Sequence, residues 1–155
     1  MVTPTKMDLI SRSGIAKVLH INIMLVNADK NPLYQQLFKT SSSNMKKYFD
    51  KEVKNYLYGI FGQTSKIILP ADDHKELALH QKYLVLHLYV PLGENWSMEI
   101  GITDINNFKR RINLTTVQGK QEVKYFSLRY PLDHLEKGCW LYLAINVYSF
   151  MEAFK

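Results

Sequence analysis

Two groups of cations are the residues of this sequence whose types and spacing point most directly to chemistry. Lys46, Lys47, Lys51 and Lys54 lie in one segment, with Asp50 and Glu52 between them. Lys109-Arg110-Arg111 forms a triplet; on a strand, Lys109 and Arg111 project to one face and Arg110 to the other. Such a set either captures an anionic surface or is simply a solvated face. Base stacking on single-stranded nucleic acid calls for aromatics interleaved with the cations. Tyr56, Tyr58, Tyr83 and Tyr89 alternate with apolar positions instead. The net charge of +6, from 20 Lys and Arg against 14 Asp and Glu, favours an acidic partner without naming it.

Catalytic and metal-binding groupings do not assemble in the sequence. His20, His74, His80, His87 and His134 lack the i, i+2 or i, i+4 pairing of a metal site and read as isolated surface residues. Cys139 is the single cysteine, so the chain has neither an internal disulfide nor a Cys-based zinc cluster. It precedes Trp140 at the start of an apolar run, which suits a packed thiol better than a thiol–imidazole pair with His134. Glu94, Glu99, Asp104 and Asp133 are candidates for paired sugar-hydrolysing carboxylates, but nothing sets a working separation, and they read as solvated turn residues. Asn95-Trp-Ser97 and Asn113-Leu-Thr115 match the N-glycosylation pattern by chance. Gly101, Gly119 and Gly138 form no phosphate-cradling loop. The expectation is a non-enzyme with no cofactor, no metal and no small-molecule substrate.

The elements that must carry these residues repeat with period two. Leu84, Leu86, Leu88 and Val90 share one face of a strand, and Tyr83, Val85, His87 and Tyr89 share the other. Trp96, Met98, Ile100 and Ile102 alternate with Ser97, Glu99, Gly101 and Thr103, and Leu141, Leu143, Ile145 and Val147 with Tyr142, Ala144, Asn146 and Tyr148. Shorter strands are expected over 56–61, 66–69, 108–115 and 123–130. Turn residues separate them at Pro70–Asp73, Pro91–Asn95, Asp104–Asn107 and Gln118-Gly119. Helical turns are expected over 33–38 and 73–79, and a helix beginning at Ser149. With 46% hydrophobic residues in 155, one globular domain has material for a core. No run approaches the ~18 apolar residues of a membrane helix. Ile15 to Val26 is apolar, but Lys17, His20 and Asn22 interrupt it, which favours a buried strand or short helix over a secretory signal.

From about Tyr48 to Phe150 the sequence resembles the domain family named for cilia- and flagella-associated protein twenty. The resemblance rests on Phe49-Asp-Lys-Glu-Val-Lys54, Ser65-Lys-Ile-Ile-Leu-Pro70, Tyr83-Leu-Val-Leu-His-Leu-Tyr-Val-Pro-Leu-Gly93, Glu99-Ile-Gly-Ile-Thr-Asp104, Arg110-Arg111 and the strand from Trp140 to Phe150. It implies an all-β fold, an antiparallel β-sandwich of jelly-roll type with short helical turns, similar to carbohydrate-binding modules. It also implies a structural role in a cilium, axoneme or centriole, with tubulin or other axonemal or centriolar proteins as partners and no catalytic centre. Residues 48–155 are expected to form the sandwich, and 1–47 a divergent segment partly packed on it. The family's Phe- and Gly-containing first strand is not recognisable in 1–47, and strands that follow Trp140 in the family are absent before Lys155. The expectation is therefore an incomplete, C-terminally truncated sandwich with an open edge that aggregates when expressed alone. Lys46, Lys47, Lys51, Lys54, Lys109 and Arg111 are the expected partner-binding residues. A glycan binder using Trp96, Tyr58 and Tyr142 is the alternative, followed by a non-specific nucleic-acid binder.

Overall fold

The period-two segments form strands because each buries one face and leaves its partner positions toward solvent. The computed structural model describes residues 3–11, 18–24, 39–40, 45–52, 54–61, 66–72, 74–77, 82–104 and 106–154. Its strands are β1 (Thr3–Ser11), β2 (Val18–Met24), β3 (Lys39–Thr40), β4 (Met45–Asp50), β5 (Asn55–Phe61) and β6 (Lys66–Leu69). They continue as β7 (Tyr83–Tyr89), β8 (Trp96–Thr103), β9 (Lys109–Thr115), β10 (Glu122–Lys124), β11 (Ser127–Pro131) and β12 (Trp140–Asn146). A short helix α1 (Val147–Met151) and a 3-10 turn over Glu152–Phe154 close the described chain, starting two residues before the expected helix. The expected turn over 33–38 lies outside the described residues, and 74–77 form no helix. No helix among the described residues is long and apolar enough to cross a membrane.

The strands make two sheets, one ordered β10-β11-β9-β8-β1-β6-β3 and the other β12-β7-β2-β5-β4. Ile67, Trp96, Met98, Ile100, Ile112, Leu114 and Leu128 from the first meet Ile60, Leu84, Leu86, Leu88 and Ile145 from the second in one apolar cluster. This is the all-β sandwich the alternation predicted. β8 shows the cause plainly: Trp96, Met98, Ile100 and Ile102 are all 0% exposed, while Glu99, Gly101 and Thr103 on the opposite face are half-buried. Burying one such side chain stabilises by roughly 1.5–3 kcal/mol, so a one-residue slip of β8 would forfeit several such terms together.

Three features differ from the expectation. The segment 123–130 is not one strand but a hairpin, β10 and β11, closed by Tyr125 and Phe126. β11 then runs parallel to β9, with Ser127 opposite Arg111 and Pro131 opposite Thr115, so the first sheet is mixed rather than purely antiparallel. The parallel pair arises because the chain leaves β9, reaches the sheet's edge as β10, and turns back into the gap. The third concerns the N-terminal region. β1 lies between β8 and β6, and β2 between β7 and β5, so residues before 25 supply an inner strand to each sheet.

Candidate interaction surface

The alternation of β9 decides where its cations go. Ile112 and Leu114 turn into the core, and Arg110 is buried with them on that side. Lys109 and Arg111 are exposed on the outer face, as the spacing predicted. The register then brings other side chains to Arg111. Ser127 of β11 pairs with Arg111, and Lys124 of β10 pairs with Ser127, so Lys124, Ser127 and Arg111 form one row across three strands. Two strand spacings separate the cations by about 10 Å. The next row in from the turn is Glu122, Arg129, Asn113 and Glu99. Together these rows line an open groove of about 370 Å³.

The charges of the groove are unequally engaged. Arg111 approaches Glu99 at 3.9 Å and Lys109 approaches Glu76 at 3.3 Å, both largely solvated pairs of small individual worth. Arg129 instead donates from Nη1 to the Lys120 carbonyl at 3.1 Å and from Nη2 to the Val117 carbonyl at 3.0 Å, which holds the loop beside the groove. Lys124 is exposed and makes no ion pair among the described residues. Lys124 and Arg129 were missed at sequence level because the region read as a single strand. A continuous strand would have put the two on opposite faces, since they lie five positions apart.

Arg110 fixes the end of this face. Its Nε donates to Asp104 Oδ2 at 3.0 Å and its Nη1 to the Tyr125 carbonyl at 2.6 Å. The guanidinium lies 5.8 Å from the Phe108 ring centre, 5.5 Å from Tyr125 and 4.9 Å from Phe154, within range of cation–π attraction. Asp104 Oδ1 also accepts from the Asn106 and Phe108 amides, both at 2.9 Å. Burial pushes the Asp104 carboxyl up. The Phe108 amide, the Arg110 side chain, the Asn106 amide and the Arg110 charge together outweigh it and hold the group below the ordinary carboxylate value. One arginine thereby ties the β8–β9 turn, the hairpin turn and the C-terminal 3-10 turn. The Asp104 side chain is thus largely covered and structural in its pairing with Arg110, and Glu94 is buried; neither is the solvated turn carboxylate expected from sequence.

The other predicted cations lie in the other sheet. Lys46 and Lys47 are on β4, its edge strand, opposite Gly59 and Tyr58 respectively; Lys51 and Lys54 are exposed in the connection to β5. Adjacent positions on a strand face opposite ways, so Lys46 and Lys47 cannot both project from one face. The Lys47 side chain lies outside the described residues. The first sheet thus brings together Lys109 and Arg111 with Lys124 and Arg129, and Lys46 to Lys54 belong to a separate layer.

The remaining candidates resolve individually. Trp96 is a core residue, so it offers no face to a sugar; Tyr58 is half-buried, and Tyr142 is 70% exposed. Tyr142 stacks on His87 with centroids 4.1 Å apart and planes within 3°, and Trp140 lies 4.7 Å from the same imidazole. His87 is therefore buried rather than a surface residue. Burial pulls its pKa below 6.5, against the opposing influence of the Asp50 charge. His74 and His134 are exposed, and the side chains of His20 and His80 lie outside the described residues. The two glycosylation matches meet in the interior: Ser97 Oγ and Thr115 Oγ1, both buried, are 2.7 Å apart. No metal-binding group of three His, Cys, Asp or Glu side chains occurs among the described residues. Compared with known families, residues 17–155 match a family model, that of the CFA20 domain.

Proposed function

Since this chain belongs to the CFA20-domain family, a family of cilia- and flagella-associated modules, we propose that it is a non-catalytic docking module that meets an acidic protein surface. Tubulin is the leading partner, and the place of action is the cytoskeleton of a cilium, axoneme or centriole. The observation that carries this reading is the row Lys124–Ser127–Arg111 on an exposed sheet face, with Lys109 beside it. A sheet face is rigid, so these cations are presented at fixed spacing to a surface that is itself regular. Each exposed contact contributes about 0.2–1 kcal/mol, so affinity must come from several acting together. Screening over about 8 Å at physiological ionic strength makes such binding steeply sensitive to salt. Lys46, Lys51 and Lys54, all exposed, would form a second contact region on the other sheet. Two such regions suit a module held between neighbouring partners.

Co-sedimentation with microtubules at two salt concentrations tests the reading. Pelleting should fall as salt rises, and should fall further in the Lys109→Glu/Arg111→Glu double variant. Reversal at Lys51 and Lys54 should weaken it separately. Pelleting indifferent to salt and to all four substitutions would remove the basic surfaces from the account. For glycan binding, the buried Trp96 removes the strongest candidate, and net charge alone is a poor case for nucleic acid.

A further inference from the structure

Phe108, Tyr125 and Phe126 come from two separate turns and form one exposed aromatic cluster at the end of the cationic row. Their exposures are 41%, 65% and 49%. The Tyr125 and Phe126 ring centres are 4.5 Å apart at 88°, and Phe108 lies 6.3 Å from Tyr125 and 6.5 Å from Phe126. Val123, on the same hairpin, is 48% exposed. Two-residue hairpin turns ordinarily use Gly, Asn or Asp, which tolerate the backbone and face water comfortably. Here the turn carries two large aromatic rings, and the fold does not bury them. We propose that this tip is the anchor of a docking site for an extended acidic protein segment that carries apolar side chains. The inference rests on the docking reading above, and assigns its specificity to the rings rather than to the charges.

Three observations support that occupant. The rim is cationic: Lys124 directly precedes the turn, Arg111 donates its amide to the Phe126 carbonyl at 2.9 Å, and Lys109 follows Phe108. Charge complementarity therefore selects acidic residues on either side of an apolar anchor. A second copy of this chain would set like charges against one another. The cluster is also pre-ordered, since Arg110 lies beneath Phe108 and Tyr125 and binds the Tyr125 carbonyl, so little side-chain freedom remains to be lost on binding. Aromatic residues are the usual carriers of binding energy at interfaces, whereas rim charges mainly steer approach. Finally, the groove continues from the tip with carboxylates among its cations, Glu99 and Glu122 beside Arg111 and Arg129. That mixture fits a chain with its own hydrogen-bonding pattern better than a uniformly anionic lipid surface.

The test compares two labelled polymers of matched length, poly(Glu) and a random Glu–Tyr copolymer, by fluorescence anisotropy against the full chain. Vesicles containing phosphatidylserine form a third arm. The copolymer should bind about fivefold more tightly or better, the scale of one interface anchor. Phe126→Ser should bring it down to the poly(Glu) value, and Phe126→Tyr should retain the preference. Phe126 is not one of the rings over Arg110, so this substitution leaves the clamp in place; matched melting curves verify that. Arg111→Glu should weaken both polymers. Equal binding of the two polymers would overturn the aromatic anchor while leaving an acidic partner standing. Absence of binding to either would overturn both, as would vesicle binding that depends on Phe126 without copolymer preference overturn a protein occupant. If the preference holds while microtubule pelleting fails, the anchor stands and tubulin is the wrong partner.

Discussion

The hydroxyl pair that joins β8 to β9 makes a prediction whose size follows from its partners. Thr115 Oγ1 sits 2.7 Å from Ser97 Oγ, 3.3 Å from the Trp96 carbonyl and 3.1 Å from the Val117 amide, which donates to it. Removing the Ser97 hydroxyl with Ser97→Ala leaves Thr115 with two partners, so the cost is that of one ordinary hydrogen bond, about 1 kcal/mol. Thr115→Val conserves shape but orphans a buried hydroxyl and the Val117 amide. The Trp96 carbonyl is spared, because the Thr116 amide still donates to it at 2.9 Å. Orphaned groups forfeit their desolvation, so Thr115→Val should cost about 2–3 kcal/mol. At about 2–4 °C per kcal/mol for a chain of this length, the melting temperature should drop by roughly 4–12 °C. The double variant should be no worse than Thr115→Val alone, since Ser97 no longer leaves anything unpaired; this non-additivity of about 1 kcal/mol is the signature of a coupled pair. Chemical denaturation of the four proteins measures it. Strict additivity, or a larger loss from Ser97→Ala than from Thr115→Val, would refute the reasoning.

Further outcomes follow from other groups. The His87 imidazole should titrate below 6.5 by NMR; Tyr142→Ala, which uncovers it, should raise the value, and Asp50→Asn should lower it. Because that pKa is depressed in the fold, the associated stability is present above about 6.5 and is lost as pH falls through the folded value. Asp104 behaves likewise in the acid range: its contribution is present above the ordinary carboxylate value and lost as pH falls through its lower folded value. Asp104→Asn should therefore flatten the decline in melting temperature between pH 5 and pH 2. Gly138 has φ +82°, its amide donates to the Val90 carbonyl at 2.7 Å, and a Cβ there would meet Leu92 Cγ at 3.0 Å. Gly138→Ala should destabilise by about 1 kcal/mol or more in denaturant titrations, chiefly through the left-handed backbone.

What could be read from the sequence divides along physical lines. Alternation is local, so β7, β8, β9 and β12 were all visible, and with β9 came the separation of Lys109 and Arg111 on one face from Arg110 on the other. The hairpin at Tyr125 and Phe126 was hidden because its turn carries none of the residues that announce turns. With it were hidden the side of the sheet on which Lys124 and Arg129 emerge, and the meeting of Phe108 with two rings 17 and 18 positions later. His87 was misread because its cover, Tyr142, arrives from a strand paired only in space. Ile15 to Val26 was legible as a buried strand or a short helix, and β2 makes Val18–Met24 a strand, but its place between β7 and β5 was not legible. Pairings such as Ser11 with Trp96 are set by the whole packing, and local composition does not encode them.

The placement of β1 and β2 bears on how the molecule comes into being. Among the described strands, β1 alone joins β8-β9-β11-β10 to β6-β3, and β2 alone joins β7-β12 to β5-β4. Each layer is thus two halves stitched by a thread from the beginning of the chain. On a ribosome that thread is synthesised before the strands it joins, and β1 finds its last partner only when Trp96 to Thr103 has emerged, while β2 must wait for Tyr83 to Tyr89. Closing loops of that length slows folding and leaves unpaired strand edges open to wrong partners meanwhile. A transcript that began downstream of Met24 would still encode the cationic row and the aromatic tip. It would present them on half a sheet.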